Sequence, residues 1–241
     1  MRSFTTYGRA LSPNVRTLLI MLVGLILAPT VFVLLLGLQG VGRFNIDLFL
    51  WLNQYYWYPL ANLVAFIELP AELFGLLFVV ILAYLHHYEL ALCILIAIAI
   101  EVVYVTLTKD LTVLARPFVA LNGINVAYYP KDYSFPSGHA TGAFAVFSAW
   151  CFKEKKYYVP LLGVAALIAL SRVYIGVHFP LDVIAGTMIG LIIGFSVARL
   201  DLTQIMHRLW IRFGQASKSE ESGQNLPPSD RIDGDEISRD E

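Results

Sequence analysis

Between Arg16 and Arg43 the chain carries no ionisable side chain, and Thr17 to Leu38 is almost wholly apolar. A run of about 20 such residues covers the hydrocarbon core of a bilayer, and only a helix or a closed barrel satisfies its own backbone hydrogen bonds there. Five further stretches are similar: roughly Leu60 to Leu85, Ala91 to Thr108, His139 to Phe152, Val159 to Tyr174 and Leu181 to Leu200. Only 15% of the 241 residues are charged and 58% are hydrophobic, whereas a soluble domain carries about a quarter charged residues. The expectation is an all-α integral membrane protein with six transmembrane helices. The second stretch contains Pro70 between Glu68 and Glu72, so a kink or a late start is expected there. The fourth and fifth are short, so their ends should continue into polar or interfacial structure. The first run is too long for a signal-peptide core and is read as a retained span.

From Gly42 to Tyr58 the aromatics Trp51, Tyr55, Tyr56, Trp57 and Tyr58 alternate with Asp47, Asn53 and Gln54. This suits an interfacial helix between the first two spans, and a connecting loop with an aromatic belt fits the composition equally well. Orientation follows from basic residues in short loops. Arg2, Arg9 and Arg16 precede the first span, Lys153, Lys155 and Lys156 separate the fourth from the fifth, and Arg199, Arg208 and Arg212 follow the sixth. With six spans these segments share one side, the cytoplasm, at an inner or plasma membrane. The long loop from Lys109 to Gly138 and the short one from Ser171 to Asp182 then face outward together. Residues 1–213 form the membrane domain. Residues 214–241 hold three basic against eight acidic residues and read as a disordered cytoplasmic tail. Cys93 and Cys151 sit in apolar surroundings and read as small buried hydrophobes.

At the outward end Lys109, Arg116 and Arg172 each lie at the edge of an apolar run. Any one of them could snorkel to the interface. Three together, with no matching set of carboxylates nearby, suggest a missing anionic ligand. Arginine's planar fork fits phosphate oxygens, and lysine supplies a point charge. Phe135-Pro136-Ser137-Gly138-His139 enters the fourth span, with Ser137 as N-cap and Gly138 allowing close approach of the backbone N–H groups to an anion. A plain turn into a helix would read the same, but an imidazole at His139 could protonate a leaving oxygen. His178 and Asp182 lie four apart across Pro180, which fits a first helical turn. That spacing lets the carboxylate orient one imidazole nitrogen and leaves the other to attack phosphorus.

These three segments together resemble the signature of the type 2 phosphatidic acid phosphatase superfamily. Lys-x6-Arg-Pro is Lys109 through Arg116 and Pro117; Pro-Ser-Gly-His is Pro136 to His139; Ser-Arg-x5-His-x3-Asp is Ser171, Arg172, His178 and Asp182. The likeness covers roughly Leu60 to Leu200. It implies that Lys109, Arg116 and Arg172 hold the phosphate oxygens with Ser137 and Gly138. His178 would attack to give a phosphohistidine, supported by Asp182, with His139 as acid and then base. It implies no metal and no cofactor, and it makes the partners a lipid phosphate and the bilayer, with no nucleic acid.

The implied substrates are undecaprenyl pyrophosphate, phosphatidylglycerol phosphate or phosphatidic acid, reached at the outer face. A lipid phosphotransferase with the same nucleophile is the near alternative, and an anion transporter with a basic cup is the distant one. Six apolar spans argue against a soluble haloperoxidase, which shares the signature. Glu68, Glu72 and Glu101 lie in or beside apolar spans, where a hydrogen-bonded structural carboxyl is expected. Tyr128, Tyr129 and Lys131 form either a lid or an interfacial belt, and His86 and His87 read as loop residues on the other side.

Overall fold

The computed structural model describes residues 12–37, 39–66 and 71–202. Among them every regular element is a helix: α1 Pro13–Gly37, α2 Gln39–Asn53, α3 Tyr58–Phe66, α4 Ala71–Tyr84, α5 Tyr88–Thr112, α6 Pro117–Ala120, α7 Gly138–Lys153, α8 Tyr158–Tyr174 and α9 Pro180–Ala198. At about 1.5 Å rise per residue, 25 residues of α1 or α5 exceed the hydrocarbon thickness of a bilayer. Among the described residues four helical segments are long and apolar enough to cross one, beginning at Pro13, Tyr88, Lys155 and Pro180, and the shorter Gly75–Tyr84 is also apolar. The stretch expected as a single second span is described as α3 and α4. Glu68 and Pro70, between them, lie outside the described residues, as do Arg2, Arg9, Arg208, Arg212 and the acidic tail.

α7 is the centre of the bundle. It packs chiefly against α9, then against α8 and α5, with α4 also in contact. Nearly all of it from Ala140 to Ala149 is buried, as expected for a helix that is apolar all round. Without a hydrophobic drive between helices in lipid, association depends on close backbone approach through small residues. Gly186, Gly190 and Gly194 recur at i, i+4 on α9 and meet Ala140, Thr141, Ala145 and Ser148 of α7. A Cβ on Gly190 would lie 2.4 Å from the Thr141 carbonyl oxygen, so only glycine permits this crossing.

α1 lies on the rim, against α9 and α2. Its outer face presents Leu18, Ile20, Leu22 and Ile26, all exposed, a surface that suits lipid rather than water. Tyr104 Oη donates to the Leu25 carbonyl at 2.7 Å and ties α5 to α1. The segment read as an interfacial helix or a belted loop is helical over Gln39–Asn53, with Trp51, Tyr55, Trp57 and Tyr58 exposed. α2 also reaches the far end of the bundle, where Asn45 Oδ1 accepts from the Leu181 N–H at 3.0 Å. Asn53 Nδ2 donates to the Asn125 carbonyl, and Asn53 Oδ1 accepts from the Asn125 N–H, each at 2.8 Å.

Candidate active site

α5 carries Lys109 into the site on its last turn and then stops. Val113 closes the helix in the left-handed region, φ 52°, its N–H donating to the Lys109 carbonyl. A β-branched residue there costs about 1–2 kcal/mol, a strain of the kind that collects at functional sites. The chain then runs extended to Arg116, which precedes Pro117 at the first position of α6. Arg116 is buried, and its fork is heavily used. Nη1 donates to the Val177 carbonyl at 2.8 Å and lies 3.2 Å from His178 Nε2. Nε donates to the Asp132 carbonyl at 2.9 Å and Nη2 to Asp132 Oδ1 at 2.7 Å. Lys109 Nζ pairs with Asp132 Oδ2.

The returning loop is pinned where it approaches α7. Ser134 N–H donates to the Leu114 carbonyl at 2.9 Å, and the fully buried Phe135 packs against Phe32 with ring centroids 6.4 Å apart. Ser137 occupies the N-cap position of α7, as expected, but its hydroxyl makes no capping hydrogen bond. That Oγ is buried with no partner among the described residues, while the Ser137 N–H donates to the Asp182 carbonyl at 3.1 Å. The expected side-chain cap is therefore absent.

α8 delivers Arg172 on its final turn, buried, with Nε and Nη2 donating to Ser171 Oγ at 3.0 and 2.8 Å. The chain reverses at Gly176, φ 81°, where a Cβ would lie 2.2 Å from the Asn125 carbonyl oxygen. His178 follows, with its N–H held by the Arg172 carbonyl. Pro180 then opens α9 and sets Asp182 on its first turn. His178 Nδ1 stands 3.6 Å from Asp182 Oδ2, an ion-pair distance but longer than a hydrogen bond. Asp182 Oδ2 instead accepts from Ser134 Oγ at 2.5 Å and the Phe179 N–H at 3.0 Å. The direct hydrogen bond expected between this pair is thus replaced by a carboxylate fixed by two other donors. Catalytic contacts commonly tighten only when substrate is bound.

Burial, reinforced by the positive charges of Arg116 and Lys109, holds His178 well below the usual imidazole value. The ring is therefore neutral at neutral pH, with a lone pair to donate. Burial alone would raise the Asp132 carboxyl, but Lys109 and Arg116 overcome it and bring it down to about 2.

A cavity of about 270 Å³ unites Lys109, Arg116, Gly138, His139 and His178 in one wall with Glu101, Tyr128 and Asp132. Ser137 and Asp182 sit behind that wall, bonded to each other through the Asp182 carbonyl, and Arg172 supports the turn that carries His178. Two members were not singled out from sequence. Asp132 falsifies the expectation that the cations lack a nearby carboxylate: it stands directly between two of them. Ser134 holds the carboxylate expected to serve His178. Both lie within five residues before Ser137, and a carboxylate next to Lys131 in a loop rich in facing cations was the available signal. Glu101, expected as a structural carboxyl, is buried and borders the cavity. Glu72 carries no description of its side chain, and Glu68 lies outside the described residues. Among the described residues no group of three His, Cys, Asp or Glu side chains could hold a metal ion.

The sequence pattern of the PAP2 superfamily matches residues 90–205, which contain every site residue named from the sequence. An undecaprenyl-diphosphatase of Sulfolobus acidocaldarius is 32% identical over 179 residues, covering 69% of this chain and 82% of that protein. The chain belongs to the PAP2 superfamily. Undecaprenyl-diphosphatase BcrC of Bacillus subtilis is 37% identical over 102 residues, 42% of this chain, and the match spans about half (53%) of BcrC. A crystal structure of the first transmembrane PAP2 type phosphatidylglycerolphosphate phosphatase from Bacillus subtilis superposes with TM-score 0.57 at 21% identity. It covers 78% of this chain and 94% of that one, a likeness of fold. With its long apolar helices, this PAP2 member is a multi-pass membrane protein.

Proposed function

We propose that this PAP2 protein hydrolyses a lipid phosphomonoester or diphosphate through a phosphohistidine at His178. The observation that carries the reading is the placement of His178: Nε2 meets Arg116 at the cavity wall, while Nδ1 faces the Asp182 carboxylate. A neutral imidazole with one nitrogen toward a carboxylate and the other toward cations is arranged for nucleophilic attack on an anion.

Lys109 and Arg116 grip oxygens of the transferring phosphoryl group, with Arg172, the Ser137 hydroxyl and the Gly138 N–H completing the cup. His178 Nε2 forms a bond to phosphorus in line with the leaving oxygen as the P–O bond to the lipid breaks. His139 donates its proton to that oxygen. Asp182 stabilises the positive charge that develops on the His178 ring. His139, now a base, takes a proton from water, whose oxygen displaces His178 and releases phosphate. Catalysis then consists of positioning and charge stabilisation, as phosphoryl transfer generally requires.

The relatives' names favour an isoprenoid diphosphate, with phosphatidylglycerol phosphate and phosphatidic acid as further candidates. We place the site at the outer face of a six-span domain over residues 1–213, with α2 lying in the interface and both termini in the cytoplasm. The arginines before α1 and the lysines after α7 support that orientation. The lipid tails would remain in the bilayer while the phosphate enters the cup. The test is phosphate release in detergent from a panel of lipid phosphates and diphosphates, wild type against His178→Ala. Turnover of at least one lipid by wild type alone supports the proposal. Equal activity in the variant would sink it, and release that depends on an added lipid acceptor would make the protein a transferase.

A further inference from the structure

We propose that the Asp132 carboxylate is a removable plug in the cup. It occupies the seat between Lys109 and Arg116 that a substrate phosphate needs. It thereby sets a charge threshold, admitting doubly charged terminal phosphates or diphosphates and turning away singly charged headgroups. This rests on the phosphate-binding reading of the cup given above.

The geometry is that of an anion already bound. One carboxylate oxygen meets Lys109 Nζ, and the other accepts from Arg116 Nη2 at 2.7 Å. A carboxylate that bridges an ammonium and a guanidinium N–H in this way places one oxygen on each cation, as two oxygens of a phosphate would. The rest of the Arg116 fork is committed to main chain, Nη1 to the Val177 carbonyl beside His178 and Nε to the Asp132 carbonyl. Nη2, which the Asp132 side chain covers, is therefore the donor left for an incoming ligand.

The partners differ in their freedom to move. The Lys109 and Arg116 side chains are 11% and 4% exposed, whereas that of Asp132 is 53% exposed. The cations are locked in the wall while the carboxylate stands on its open side. Its departure leaves both ends of the loop anchored, through the Asn53–Asn125 pair at one and the Ser134–Leu114 hydrogen bond and buried Phe135 at the other, and loosens only the stretch between them.

A ligand that must first displace a tethered competitor binds with its intrinsic affinity reduced by the fraction of open cups. A dianion gains more from two cations than the single charge of Asp132 does, and a phosphodiester monoanion does not. The carboxyl stays ionised through the working pH range, since the same cations hold it near 2. The plug is therefore displaced by competition rather than by protonation.

The experiment compares purified full-length wild type with Asp132→Asn in detergent, measuring binding of orthovanadate, inorganic phosphate and dimethyl phosphate by titration without turnover. The plug predicts that the variant binds the first two about tenfold more tightly or better, and that it gains binding of the monoanion. Equal or weaker binding in the variant overturns the plug and makes Asp132 a scaffold that aligns the two cations. Failure of the lipid phosphatase reading would appear separately, as absent phosphate release by wild type on every lipid. If Asp132→Asn does not fold, hydrogen exchange of residues 128–134 in wild type decides. Orthovanadate should speed exchange there if it expels Asp132, and slower or unchanged exchange contradicts the proposal.

Discussion

The two ends of the bundle hold similar charges under very different terms. Lys153 ends α7 and Lys155 and Lys156 follow it at one end, and Lys109, Arg116 and Arg172 gather at the other. Lys153 meets Glu89 at 2.7 Å with both side chains partly open to solvent, and Lys156 rests 5.6 Å from the Tyr157 ring centre. Such contacts contribute about 0–1 kcal/mol. At the other end the three cations are buried, two of them share one carboxylate, and all surround a cavity-lining histidine or the turn that carries it. Burying a cation costs several kcal/mol unless a partner offsets it. Helix-end basic residues therefore carry no functional meaning by position alone; burial around a shared cavity distinguishes a ligand cup from a solvated rim.

The sharpest way to break this contrast is His178→Ala. Loss of the proposed nucleophile should lower kcat by at least about a thousandfold with little change in melting temperature. Next is Asp182→Asn, which keeps the Phe179 contact but removes the charge beside His178. Turnover should fall about a hundredfold, with Ser134→Ala showing a milder version of the same loss. Retained turnover in Asp182→Asn would detach the carboxylate from the chemistry.

The acidic limb of kcat/KM offers a subtler probe. His178 must be neutral to attack, and its value is held down by burial and then by Arg116 and Lys109. The limb should therefore lie well below pH 6.5, the ordinary imidazole value. Replacing Arg116 with Gln should move it upward while also reducing kcat. An unmoved limb would assign it to another group. Gly190→Ala addresses the scaffold: its Cβ would press on the Thr141 carbonyl and destabilise the protein by about 1–3 kcal/mol. The smallest effect belongs to Lys153→Ala, at most about 1 kcal/mol in stability, with activity unchanged.

Much of this arrangement is legible in the sequence because it is local. The edges of α5, α8 and α9 follow from apolar runs, and the His178–Asp182 pairing follows from a proline-led first turn. The signature spacing brought Lys109 and Arg116 together with His139 and His178, and the cavity holds all four. What escaped is long-range. Asp132 reaches Lys109 across 23 positions and Ser134 reaches Asp182 across 48, contacts that no helical period encodes. Ser137 also departs from the expected cap: its hydroxyl is buried without a partner among the described residues, while its N–H donates to the Asp182 carbonyl of another helix.

The central claim is a covalent phosphohistidine on His178, and an alkaline denaturing quench of the enzyme during turnover of a 32P-labelled lipid substrate tests it most directly. The account predicts a base-stable, acid-labile label on wild type and none in His178→Ala; with a diphosphate substrate, whose phosphate leaving group needs little protonation, His139→Ala should hold more label because hydrolysis of the intermediate loses its base. A label that persists in His178→Ala, or turnover by wild type with no trapped label even when His139 is removed, would contradict it.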